Sequence, residues 1–270
     1  IDTFLPLVLP SDAQYSFSTA PRFYDYQFIT TWRPDAGQRL RLLFYGSLDR
    51  LAALFDRPQT DPTITGPLDA RVSFHSLQAD YQCNLGPRLR QDTSLQLGLQ
   101  EILTQVGPQY FFDLKNRRLS LRSAWTLDAA PGLEVRAGVD VRIDGARVGL
   151  NLPDNAGQNP VPPSTLPQIG TVQQLTLYAP AAFAELRWSP WPSLSILPGI
   201  RLDWYSLVDR WTVDPRLLVR WEALDGTVVR AGVGLYQQPP QPGEANAVTG
   251  TPTLLPLRSL QASVGASQRI

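Results

Sequence analysis

Apolar and polar residues alternate with a period of two through most of this chain, and helical spacing is hard to find. The clearest stretch is residues 133–144, where Leu133, Val135, Ala137, Val139 and Val141 alternate with Glu134, Arg136, Gly138, Asp140 and Arg142. Residues 194–205 repeat it, with Leu194, Ile196, Pro198, Ile200, Leu202 and Trp204 on one side. Residues 227–236 do so again, setting Val229, Ala231, Val233 and Leu235 against Arg230, Gly232, Gly234 and Tyr236. Weaker alternation marks 23–32, 40–47, 72–83, 93–102, 118–125, 182–188, 213–222 and 259–270. The pattern predicts eleven strands, most of eight to twelve residues. A soluble sheet usually has strands of about five or six.

The connections alternate in length. Short turns fall at Pro34-Asp35-Ala36-Gly37, Leu85-Gly86-Pro87-Arg88, Asp128 to Gly132, Ser189 to Pro192 and Leu224-Asp225-Gly226, where glycine and proline supply the turn conformations. Between these hairpins lie longer segments, roughly 49–70, 103–117, 145–171 and 237–256; only 206–212 is short on that side. Tight turns on one edge and long loops on the other are the layout of an antiparallel transmembrane β-barrel.

Tryptophans agree. Trp32, Trp125, Trp188, Trp191 and Trp221 fall near the short turns, while Trp204 and Trp211 flank the one short connection on the other edge. Where parity is readable they take the apolar side, as in the aromatic girdle of a membrane interface. The opposite side carries Arg41, Arg122, Arg136, Asp140, Glu185, Arg187, Arg201, Asp203, Arg216, Arg220, Glu222 and Arg230. So many charges fit a wet lumen rather than a dry core. A soluble sheet with one solvated face would show the same alternation; strand length and loop asymmetry favour the membrane.

Composition narrows the classes. Twenty-four basic residues balance 24 acidic ones, which argues against a nucleic-acid partner. One cysteine, Cys83, rules out an internal disulfide, and one histidine, His75, rules out a histidine-rich metal centre. No apolar run is long enough for a membrane helix.

The run Leu197 to Tyr205, followed by Val213-Asp214-Pro215-Arg216-Leu217, resembles paired barrel strands of TonB-dependent outer-membrane receptors. Val233-Gly234-Leu235-Tyr236-Gln237-Gln238-Pro239-Pro240-Gln241-Pro242 is similar to a strand-to-loop junction of the same receptors, and the segments 1–10 and 21–26 to mid-barrel sequence. The resemblance spans essentially the whole chain. It implies a bacterial outer-membrane, multi-pass barrel of about 22 strands closed by an N-terminal plug. It also implies ligand import driven by a TonB-type energy transducer acting through that plug. With eleven strands, no plug and no signal peptide, the expectation is that residues 1–270 are a partial barrel domain. The implied partners are outer-membrane lipid, the transducer through the missing plug region, and a small-molecule ligand such as a siderophore or cobalamin.

No residue pattern suggests an enzyme or a cofactor. His75 reads as a structural or lumen-facing polar residue, Cys83 as a small strand residue beside a turn, and Gly232-Val233-Gly234 as small residues facing a lumen. Asp56, Asp61 and Asp69 lack calcium-loop spacing and read as a solvated loop. The ligand-binding candidates are Tyr236, Gln237, Gln238 and Glu244, where a strand leaves the membrane towards a long loop. The alternatives are a self-contained barrel of about twelve strands acting as a passive channel or adhesion scaffold, an outer-membrane hydrolase built on His75, and a soluble all-β binding protein.

Overall fold

The computed structural model describes residues 15–55, 66–107, 110–153, 168–245, 251 and 253–269. Eleven strands follow one another in chain order: β1 (Tyr15–Trp32), β2 (Gln38–Phe55), β3 (Gly66–Asn84), β4 (Leu89–Val106), β5 (Tyr110–Ala130), β6 (Leu133–Pro153), β7 (Gln168–Trp191), β8 (Leu194–Tyr205), β9 (Arg210–Leu224), β10 (Thr227–Gln238) and β11 (Leu257–Gln268). Each pairs antiparallel with the next in a single meandering sheet. Within the described residues β1 and β11 do not pair with each other, so the sheet is open. A twelve-stranded barrel complete in itself is therefore not the architecture described.

All eleven expected strands are present, but the first seven are much longer than the alternation suggested. They run 18 to 24 residues, whereas β8 to β11 run 12 to 15. Much of 49–70, 103–117 and 145–171, expected as loop, is strand, whereas of 237–256 only Gln237 and Gln238 belong to a described strand. The physical reason is that backbone ladders continue where both faces meet water, and there no side-chain alternation is needed. A tilted strand needs only about 9–11 residues to cross a bilayer. Asp56 and Asp61 lie outside the described residues.

The tight turns are as short as expected. Pro131-Gly132 and Asp225-Gly226 each join two strands, with Gly132 and Gly226 both at φ 73°, a left-handed conformation that glycine adopts without penalty. From β2 to β7 the registers are continuous, the sole shift lying beside the β5–β6 turn. On the far side β8 is short. It meets β7 only over residues 181–191, so 168–180 of β7 have β6 on one side and no described strand on the other. The four-residue connection 206–209 is anchored to β7 where they part. Ser206 N donates to Tyr178 O (3.0 Å), and Tyr178 N donates to Ser206 Oγ (2.8 Å). The rim of the sheet thus steps down from tall β7 to low β8.

Candidate functional site

Residues directly opposed across a ladder share a face, so registers sort side chains into two sets. One set begins Arg41, Asp80, Ser94, Arg122, Asp140, Ala181, Asp203 and Thr212, opposed in turn from β2 to β9. All twelve charged residues expected on the polar side lie on this face. The other face carries Leu95, Leu97, Leu119, Leu121, Val139, Val141, Ile200, Leu202, Val213 and Leu217. All seven tryptophans are on this apolar face. Trp191 reaches it through the register shift that sets it opposite Leu194.

The polar face neutralises its own charges. Asp140 receives Arg122 (3.7 Å) and Arg201 (3.4 Å), and Arg201 also binds Asp203 (2.9 Å). Arg216 pairs with Glu185, and Arg187 with Glu134. Phe183, buried among them, lies under the Arg122 guanidinium, 4.8 Å from ring centre, and covers Gly138.

A cavity of about 870 Å³ opens on this face at the long-loop end. Phe112 and Leu114 of β5, Val148 and Leu150 of β6, and Leu175 and Leu177 of β7 give it aliphatic walls. Arg118, Arg142 and Asp144 are its charged residues. Asp144 accepts from Arg118 Nε (2.6 Å) and Arg142 Nε (3.2 Å), so two guanidinium groups share one carboxylate and the base of the cavity keeps an excess positive charge. Tyr205 borders it from β8, and residues 238–243 from the end of β10 form a strap along it. Prolines at 239, 240 and 242 fix backbone angles in that strap. The cavity therefore sits at the step in the rim, against the tall strands.

Of the residues singled out from the sequence, Gln238 lines this cavity. Tyr236 stands on the same face with its ring laid over Gly234. The Gln237 amide donates to Val213 O (3.1 Å) and Asp214 Oδ1 (3.0 Å), bonding to β9 beyond the last β9–β10 ladder pair. Glu244 folds back within the strap, where its Oε2 accepts from Gln241 N (2.7 Å). The sequence reading did not single out Arg118, Arg142 and Asp144 as site residues. Their signal was available in part, because Arg142 belongs to the clearest alternating segment.

His75 is on the apolar face, not the lumen side, bonded through Nδ1 to the Tyr26 hydroxyl beside Gly46. Gly232 and Gly234 do face the polar side. Cys83 is a free thiol opposite Gln38. Among the described residues no cluster of His, Cys, Asp and Glu could hold a metal ion. Outside the apolar belt, Asp69 of β3 binds Arg50 (3.2 Å) and Arg71 (2.5 Å), and the Arg71 guanidinium holds its carboxyl below the usual carboxylate range.

The family model described as TonB dependent receptor-like, beta-barrel, matches residues 8–268. A comparison with curated protein sequences finds no match. Among solved structures, a ferric enterobactin receptor (PfeA) variant from Pseudomonas aeruginosa is similar, with TM-score 0.70 and 14% identity over 93% of this chain and 40% of that one. The copper transporter OprC gives 0.67 and 15% over 94% and 43%, and the FrpB iron transporter from Neisseria meningitidis 0.63 and 12% over 92% and 43%. The chain spans less than half the length of these proteins. With one apolar face, one face of paired charges and a family match over nearly its whole length, the chain belongs to the TonB-dependent receptor β-barrel family of the bacterial outer membrane.

Proposed function

We propose that this chain is the lumen wall of a TonB-dependent receptor that captures a small anionic ligand with an apolar portion and passes it inward. The observation that carries this reading is the cavity at the rim step, where aliphatic walls stand over two arginines that share one carboxylate. Guanidinium groups suit planar oxyanions, and each charge-assisted bond is about twice as strong as a neutral one. Metal chelates of catechol or carboxylate type combine these properties, and receptors of similar fold are named for ferric enterobactin, iron and copper. Gln238, on the cavity wall, would contact the ligand directly, with Tyr236, Gln237 and Glu244 shaping the strap at its entrance. In this reading residues 1–270 are part of a longer receptor, and its N-terminal plug receives the pull of the energy transducer.

The test is equilibrium binding of ferric chelates of differing charge to the intact receptor, with Arg118→Gln and Arg142→Gln. The expected result is selection of an anionic chelate and a loss of about tenfold in affinity per arginine. Unchanged affinity in the double variant, or binding of neutral chelates alone, would remove the proposal.

A further inference from the structure

The two faces handle charge differently. Every ion pair among the described residues lies on the lumen face except the two made by Asp69. On the lipid face of β5 and β6, Lys115 stands directly opposite Arg147, and Arg117 lies two residues along, directly opposite Gly145. These four positions make a square with cations at three corners and bare backbone at the fourth. None of the three cations forms an ion pair with a described residue, and all three are exposed. A Cβ added at Gly145 would meet nothing nearer than the Arg117 carbonyl oxygen at 3.9 Å, so the fourth corner is open space. The acids beside the square are Glu101, opposite Lys115 across β4–β5, and Asp113, two residues before it; neither is within ion-pair distance of the three.

Like charges set directly opposite each other weaken a ladder, and Glu101 and Asp113 offset only part of the three positive charges, so the square calls for an anion from outside the chain. The square's position says which anion. The next opposed set towards the tight turns is Leu97, Leu119, Ile143 and Tyr178, so the hydrocarbon belt begins two residues away. The square is therefore at the boundary of the outer leaflet, on the surface that faces lipid. We propose that it binds a phosphate of an outer-leaflet lipid headgroup. The two arginines and the lysine donate to the phosphate oxygens, and Gly145 leaves room for the group to approach the backbone. This site is on the opposite face from the ligand cavity and does not depend on what the receptor imports.

The test uses the intact receptor in neutral detergent, with native mass spectrometry counting bound lipid. The probes are bisphosphorylated lipid A, the same lipid after enzymatic removal of its phosphates, and inorganic phosphate alone. The phosphorylated lipid should bind in preference to the other two. Combining Lys115→Gln, Arg117→Gln and Arg147→Gln should weaken it about a hundredfold, the loss of three basic residues at an anionic surface. Gly145→Leu keeps every charge, enters open space, and should also weaken binding by filling the fourth corner. It decides the matter if the triple variant does not fold, as judged by loss of heat-modifiable gel mobility. Equal binding of the dephosphorylated lipid, or full binding by Gly145→Leu and by a folded triple variant, overturns the proposal. Inorganic phosphate binding as tightly as the lipid overturns it too, by marking a site for soluble anions.

Discussion

Arg201 reaches Asp140 two strands away, its terminal nitrogens 3.4 Å from Oδ2, by passing over Ala181, which stands directly opposite both Asp140 and Asp203. A methyl group is all that β7 places beneath the guanidinium. Ala181→Leu should obstruct that passage and cost about 1–3 kcal/mol of stability. Arg201→Met should cost about 3 kcal/mol by leaving the nearly buried Asp203 carboxylate without its partner. In a double-mutant cycle read by urea unfolding of the intact receptor in micelles, Ala181→Leu should cost less in the Arg201→Met background. Strict additivity would show that the bridge contributes nothing.

Val139 and Val233 sit midway along the apolar runs of β6 and β10. Arginine at either should cost about 2–4 kcal/mol, the penalty for a cation near the bilayer midplane. Gln100 is exposed on the lumen face of β4, and Gln100→Arg should be close to neutral. Equal costs at Val139 and Gln100, measured as folding free energy in lipid vesicles, would reverse the assignment of faces.

Gly138 has no room for a side chain. A Cβ there would fall 2.5 Å from Ser123 O and 2.6 Å from the Phe183 ring. Gly138→Ala should expel Phe183 from beneath Arg122 and destabilise the wall by about 1–3 kcal/mol. Adding Phe183→Leu should recover part of that loss. No recovery in the unfolding midpoint would mean that the backbone contact alone sets the cost.

The tryptophans form two bands on the lipid face. Trp204 and Trp211 oppose each other at the long-loop end, and the other five lie towards the tight turns. Variants retaining one tryptophan each should show quenching by lipids brominated near the headgroup, strong in both bands. Acrylamide should quench them weakly. Strong acrylamide quenching of Trp125 or Trp188 would place that side in the lumen.

Asp69 gives a pH signature outside the bilayer. Its carboxyl is held below the usual value of about 3.9, first by the hydrogen bond from Arg71, so its ionised form is favoured in the fold. The contribution is complete above the unfolded-state value and disappears as pH falls through the lower folded-state value. Both arginines are about half exposed, so the gain is at most about 1 kcal/mol. The receptor and its Asp69→Asn variant should differ slightly in stability at neutral pH and converge as pH falls through the lowered folded-state value; a difference that grows on acidification would contradict this.

The two faces were legible because period two is enforced wherever one side meets hydrocarbon. That constraint placed Val139 outward, Asp140 inward and every tryptophan near an interface. It lapses beyond the belt, where Phe112 and Val148 continue in strand, so that part of the cavity wall read as loop. Gln238, which lines the cavity, stands out in the sequence because the proline run marks where β10 ends. Arg142 stood out only as a polar position in the alternation of 133–144 and Asp144 only as the end of that segment, because their meeting with Arg118 depends on the β5–β6 register, which no local pattern encodes.

The continuous registers of β2 to β7 have a mechanical consequence. Opening any one of those long ladders would break many hydrogen bonds together, so their local opening free energies are at the high end of the molecule's range. These six strands then act as a frame of constant circumference during a binding event. The described register shifts are confined to β1, the β5–β6 turn, the lower β7–β8 contact and the start of β10. At the long-loop end the weak place is different: residues 168–180 of β7 have no described strand on the β8 side, so yielding of this wall to its cargo is concentrated at the step.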